Sequence, residues 1–124
     1  MEQIFTTGAP AAIGPYSQAL VHGGLVFTSG QIPLDPTTGE IVGTTIEEQT
    51  LRVIENLNAV LEAAGSSLSK VLKTTCFLAD MADFAAFNGV YEKYFTGKPS
   101  RSCVAVRTLP KNVLVEIECV AVVE

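Results

Sequence analysis

Pro99-Ser100-Arg101-Ser102-Cys103-Val104-Ala105-Val106 and Leu114-Val115-Glu116-Ile117-Glu118-Cys119-Val120 decide how this chain is read. Both runs are short, mostly apolar and rich in β-branched residues, so both read as β-strands. The first carries Arg101 near its start and the second carries Glu116 and Glu118 inside it. A guanidinium grips a planar carboxylate through two parallel hydrogen bonds. A glutamate on an apolar strand face is costly to desolvate unless something uses it. Arg101 and Glu116 are therefore the candidate working pair. The residues alone also allow a structural ion pair between Arg101 and Glu116 or Glu118 across neighbouring strands.

The final strand extends over 113–123. Val113, Val115, Ile117, Cys119, Ala121 and Val123 alternate on one face, and Leu114, Glu116, Glu118, Val120 and Val122 on the other. Both faces are largely apolar. Upstream, 45–64 has apolar residues at helical spacing (Ile46, Val53, Ile54, Leu57, Val60, Leu61, Ala64), with Thr44/Glu47 or Thr45/Glu48 as a capping box and Gly65 as the stop. A strand rich in Val, Thr, Cys and Phe covers 70–78. A second helix follows, capped by Asp80, with Phe84, Phe87, Tyr91, Tyr94 and Phe95 as its core stripe and Gly97 at its end. Asn88 falls on that same stripe. Its amide bonds backbone inside the fold or points into a site or subunit contact. Two helices cover one face of a sheet, so a second copy of the chain is the economical cover for the other.

Near the start, Ala9-Pro10-Ala11-Ala12-Ile13-Gly14-Pro15-Tyr16 cannot be helical and reads as an extended segment, either a connector or a wrap around a site. Residues 17–22 and 25–29 form a hairpin about Gly23-Gly24. Ser29-Gly30-Gln31 follows it, where Gly30 permits a ligand close to the backbone or makes a simple bend. Asp35-Pro36-Thr37-Thr38-Gly39 is a turn.

Composition bounds the rest. The chain has 124 residues, 48% hydrophobic and 17% charged, which fits one domain over 1–124. Eight Lys and Arg against thirteen Asp and Glu give a net charge of −5, with no basic run. That argues against nucleic acid as a partner and leaves room for a small anion held by one arginine. Met1-Glu2-Gln3-Ile4-Phe5 has no signal-peptide character, and no apolar run is long enough to span a bilayer, so a cytoplasmic protein off the membrane is expected. Cys76, Cys103 and Cys119 are odd in number and lack CxxC spacing, as expected of free thiols in a reducing compartment. His22 is the lone histidine and has no ligand set around it, so no metal is expected.

Together, 99–104, Leu109-Pro110-Lys111 and 115–118 resemble the C-terminal signature of the Rid (reactive intermediate deaminase, YjgF-type) family. Residues 9–19, Ser29-Gly30-Gln31-Ile32-Pro33, 71–78 and 88–91 are equally typical of it, so the likeness runs end to end. The resemblance implies an α+β, chorismate-mutase-like fold with a mixed sheet, two helices on one face, and a homotrimer closing the other. It implies sites in the clefts between subunits, no cofactor and no metal. The implied activity is hydrolysis of 2-imino acids, such as 2-iminopropanoate and 2-iminobutanoate, to 2-oxo acids and ammonia. Arg101 matches the carboxylate clamp and Glu116 the motif glutamate, while Tyr16, Ser29, Gly30, Asn88 and Cys103 match cleft positions. Lys98 departs from many archetypal members, which place a bulky apolar residue there. The side-chain preference of the pocket is thereby open.

Chemically, Arg101 would hold the carboxylate, helped by the Cys103 backbone N–H, with Glu116 placing water and Tyr16 bonding to it or closing the cleft. Cys103 lacks a histidine to activate it, and a thiol on an apolar strand is inert. Glu118 reads as a structural partner. A non-catalytic binder of 2-oxo acids fits the same residues. A ribonuclease or translation inhibitor fits them less well, given the acidic charge and the single histidine.

Overall fold

A computed structural model describes residues 1–124. Its strands are β1 (Glu2–Ile4), β2 (Ala19–His22), β3 (Leu25–Thr28), β4 (Val71–Leu78), β5 (Ser100–Ala105) and β6 (Val115–Val122). Helix α1 (Ile46–Ala63) lies between β3 and β4, and α2 (Phe84–Tyr94) between β4 and β5. The six strands form one mixed sheet in the order β1-β2-β3-β6-β4-β5. Only β4 and β5 run parallel, and α2 is the crossover that such a pair requires. No helix is long and apolar enough to cross a membrane.

Local chemistry explains the elements. Gly23 (φ 60°) and Gly24 (φ 78°) supply the two left-handed residues that a tight β2–β3 hairpin needs. Thr45 and Glu48 are the pair that closes the capping box of α1, satisfying N–H groups that a helix start leaves open. Asp80 does not cap the second helix. Its Oδ1 accepts from the Ala82 N–H (2.9 Å) and caps a short 3-10 turn over Met81–Asp83, after which α2 begins at Phe84. An Asp side chain captures the N–H two residues on as readily in a turn as in a helix. The strand at the N-terminus, β1, has no sequence counterpart above. Three residues are too short a run for alternation to show.

Both helices lie on one face. Val53, Ile54, Leu57, Val60 and Leu61 of α1 and Phe87 of α2 are fully buried against Val26, Cys76, Val115, Ile117 and Ala121 of the sheet. Thr74 and Tyr91 join the two layers through a buried 2.7 Å hydroxyl–hydroxyl bond. The stripe of α2 is narrower than its spacing suggests: Phe87, Tyr91 and Phe95 are buried, while Tyr94 is exposed.

The opposite face carries Glu116, Glu118, Val120, Phe77, Phe27 and Val104. No helix of the protomer lies on it. Phe27 and Val104 keep 45% and 47% of their surface exposed. Large apolar side chains on an open sheet face are the pattern of a surface that another body covers.

Candidate active site

The sequence-derived site residues fall into two groups on opposite faces of the sheet. Arg101 and Cys103 on β5 stand beside Thr74 and Cys76 on β4, both buried under the helices. Arg101 therefore points to the helix side. Its Nη1 donates to Asn88 Oδ1 on α2 at 2.7 Å. Its guanidinium carbon lies 4.8 Å from the Tyr91 ring centre, 5.4 Å from that of Phe84 and 5.9 Å from that of Phe87. An aromatic wall attracts a cation through the ring quadrupole and restricts where the fork points. Asn88 settles the choice left by its spacing: its carbonyl oxygen faces Arg101 rather than backbone. The second signal was already in the sequence, because Phe84, Phe87 and Tyr91 share the face of Asn88.

This arrangement removes the structural ion pair. The only neighbour of β5 is β4, β6 lies one strand further on, and its glutamates face the other way. The ion pairs of the chain are Arg52–Glu55 and Lys70–Glu124, so neither Arg101 nor Glu118 has a carboxylate or cationic partner. Within the chain Glu118 is thus not the partner of Arg101. It is exposed and lines the same cavity as Glu116.

Tyr16, Ser29, Gly30 and Glu116 make the second group. With Ile13 and Glu118 they line a concavity of about 540 Å³ on the open side of the sheet. Backbone irregularity builds it. The β3–β6 ladder ends at Phe27–Val120 and resumes as a single bridge between Gln31 and Ile117. Three residues, Thr28 to Gly30, face two on β6, and the extra one bends the chain away. Thr28 Oγ1 accepts from the Cys119 N–H (3.0 Å) that the interrupted ladder leaves free. Ser29 donates its hydroxyl to Ser17 O (2.6 Å) and its N–H to Gln18 O (2.9 Å).

Gly30 has a specific reason to lack a side chain. A Cβ there would collide with the Glu116 carboxylate, which lies directly over it. The close approach expected of a ligand at Gly30 is made by the chain's own glutamate. Burial, and then the neighbouring Glu118 charge, hold the Glu116 carboxyl above the usual carboxylate range. Tyr16 is half exposed, and its hydroxyl accepts from the Ile13 N–H (3.3 Å), closing the proline-rich segment on itself.

Gln18 is the residue that sequence reasoning missed. Almost fully buried, it accepts from the Thr6 N–H (2.7 Å) and donates to Thr6 O (3.1 Å) and Pro10 O (2.8 Å). It pins the segment that carries Ile13 and Tyr16. One glutamine between a proline-rich segment and a short strand gives no periodic signal.

All three cysteines are free thiols. Burial pushes Cys76 and Cys119 up to about 12 and raises Cys103 as well, with Arg101 pulling the last one down. These groups are protonated at neutral pH, which disfavours a thiolate nucleophile. His22 sits at the exposed end of β2, next to the hairpin turn, away from both groups.

The family model described as Endoribonuclease L-PSP matches residues 6–123. The chain is 49% identical over 123 residues to the 2-iminobutanoate/2-iminopropanoate deaminase of Salmonella typhimurium, covering 96% of this chain and 95% of that protein. It is 53% identical over 125 residues to the putative regulator AldR of Lactococcus lactis, covering 100% of this chain and 99% of that one. A crystal structure of E. coli TdcF with bound serine superposes with a TM-score of 0.94 at 45% identity, covering 100% of both chains. With the mixed sheet, the two helices on one face and these relatives over nearly the whole length, the chain belongs to the Rid/YjgF family.

Proposed function

We propose that this protein hydrolyses 2-imino acids to 2-oxo acids and ammonia, using sites assembled between subunits of a homotrimer. The observation that carries the reading is Arg101. It is a guanidinium with no carboxylate partner, braced by Asn88 and an aromatic wall, on a strand at the sheet edge. A group so prepared and so unused suits a ligand carboxylate. Deaminase activity named for a relative at 49% identity agrees with it. The bound serine of the TdcF structure shows a small molecule carrying a carboxylate on the same fold.

In this reading Arg101 holds the substrate carboxylate, with the Cys103 backbone N–H at the same end. Glu116 of an adjoining subunit stands over the imine carbon with Tyr16, Ser29 and Gly30 around it. Water adds to the protonated C=N carbon and Glu116 accepts one proton of that water, giving a carbinolamine. Glu116 returns this proton to the nitrogen, the C–N bond breaks to release ammonia, and the hydroxyl proton leaves to solvent as the C=O of the 2-oxo acid forms. Imines hydrolyse readily in water, so the protein contributes orientation more than acid–base strength. The open apolar face and the separation of Arg101 and Glu116 in one chain support an oligomer with shared sites, and threefold closure is what the family resemblance implies.

A second reading is a metabolite-binding regulator, favoured by the name of the AldR relative. RNA cleavage, which the description of the family model evokes, lacks support in the site: the lone histidine is at a hairpin and the chain is acidic. The deciding experiment generates 2-aminoacrylate with a dehydratase and follows 2-oxo acid formation with and without this protein. Acceleration supports the deaminase. Saturable 2-oxo acid binding without acceleration leaves the regulator.

A further inference from the structure

A cavity of about 490 Å³ opens beside Arg101 where α2 runs into β5. Tyr91 and Phe95 form its floor, and Lys93, Lys98 and Arg101 line it together with a single carboxylate, Glu92. The chain has eight Lys and Arg residues and a net charge of −5. Three of those eight cations meet at this one cavity, and none of them is in an ion pair. The cavity is therefore positive in an acidic molecule, which focuses field for an anion with more than one charge.

Lys98 adds a geometric observation. Its backbone is left-handed (φ 51°), its N–H donates to Phe95 O at 3.3 Å, and Pro99 follows. Residues with a Cβ avoid that region, and a residue before proline is held extended. Glycine would sit there freely, yet a lysine does. Backbone outliers of this kind gather at ligand sites.

We infer that the Arg101 cavity accepts 2-imino and 2-oxo dicarboxylic acids of four or five carbons, with Lys98 binding the distal carboxylate and thereby setting side-chain preference. Arg101 holds the carboxylate next to the reacting carbon, and Lys98 meets the one at the far end. This inference deepens the imino-acid reading above and rests on it for the role of Arg101. Lysine is suited to the distal end, since a flexible point charge tolerates a variable chain length better than a rigid fork does.

The test compares binding of 2-oxoglutarate and 2-oxobutanoate by calorimetry, to wild type and to Lys98→Asn. Asparagine is neutral and tolerates the left-handed backbone, and a thermal melt of both proteins checks the fold. Wild type is expected to bind the dicarboxylate about tenfold or more tightly than the monocarboxylate, as one charge-assisted contact allows. Lys98→Asn is expected to erase that ratio. Equal affinities in wild type, or a ratio unmoved in Lys98→Asn, would overturn the inference. Imine hydrolysis is measured alongside. A Lys98-dependent preference without hydrolysis supports the dicarboxylate pocket and removes the deaminase. Hydrolysis at equal kcat/KM for the imines of alanine and glutamate supports the deaminase and removes the dicarboxylate pocket.

Discussion

Glu116 illustrates how one residue sets function against stability. Burial and the adjacent Glu118 charge disfavour its ionised form, so its folded pKa is raised above the unfolded one. The native state then binds more protons than the unfolded state between those two values. The stability contributed by this group is present below the unfolded pKa and is lost as pH rises through the folded pKa. Glu116→Gln is therefore expected to melt higher than wild type at neutral pH, with the gain fading as pH falls through the carboxylate range, while deamination is lost. Melting curves at several pH values check the first half and the imine assay the second. Arg101→Lys is the complementary case. Lysine keeps the charge but loses the planar fork that lies against Tyr91. One lost charge-assisted bond costs about 1.5–3 kcal/mol, so deamination should fall about tenfold or more with the melting temperature little changed. Unchanged activity would remove Arg101 as the clamp.

At the level of elements, the irregular connection after β3 makes the half-site around Glu116. Gly30→Ala would place a methyl group against the Glu116 carboxylate. The nearest atom is the far end of a flexible side chain that lines the cavity, so it yields at small cost in stability, and the side chain that must yield is the proposed base. Activity should fall more than stability, as steady-state kinetics and melting on the same preparation would read. Gln18→Leu acts through the N-terminal segment instead. It strips Thr6 and Pro10 of their partners, at about 1–3 kcal/mol for the exposed polar groups. Protease cleavage within 6–16 should quicken well before the core opens. These elements also show what was legible in the sequence. The hairpin glycines, the Thr45–Glu48 box and the alternation of β6 are local signals, and the chain obeys each of them. Alternation also tells which residues share a face of one strand. It cannot tell whether Arg101 on β5 and Glu116 on β6 share a face, because β4 inserts between those strands and fixes their relative parity. The residues alone left an ion pair between Arg101 and Glu116 open, and the parity that β4 sets removes that contact within one chain.

For the whole molecule, the separation of Arg101 from Glu116 leads to a test that neither residue gives alone. If each site takes Arg101 from one subunit and Glu116 from the next around a closed ring, Arg101→Ala and Glu116→Ala are each inactive as pure proteins. Unfold them together and refold them as a mixture. Going around any mixed trimer, there is one junction where a subunit with intact Arg101 meets a neighbour with intact Glu116. That junction restores one of the three sites. Random assembly from equal amounts gives about three quarters mixed trimers, hence about a quarter of wild-type activity. Light scattering should show about three times the chain mass throughout. If both residues served the same site from one chain, every site in the mixture would carry one of the lesions and activity would stay at the level of the pure variants. The activity of the refolded mixture thus separates a shared site from a private one without any structure of the assembly. A mixture that stays inactive while its mass is trimeric would remove the intersubunit site but leave the trimer standing.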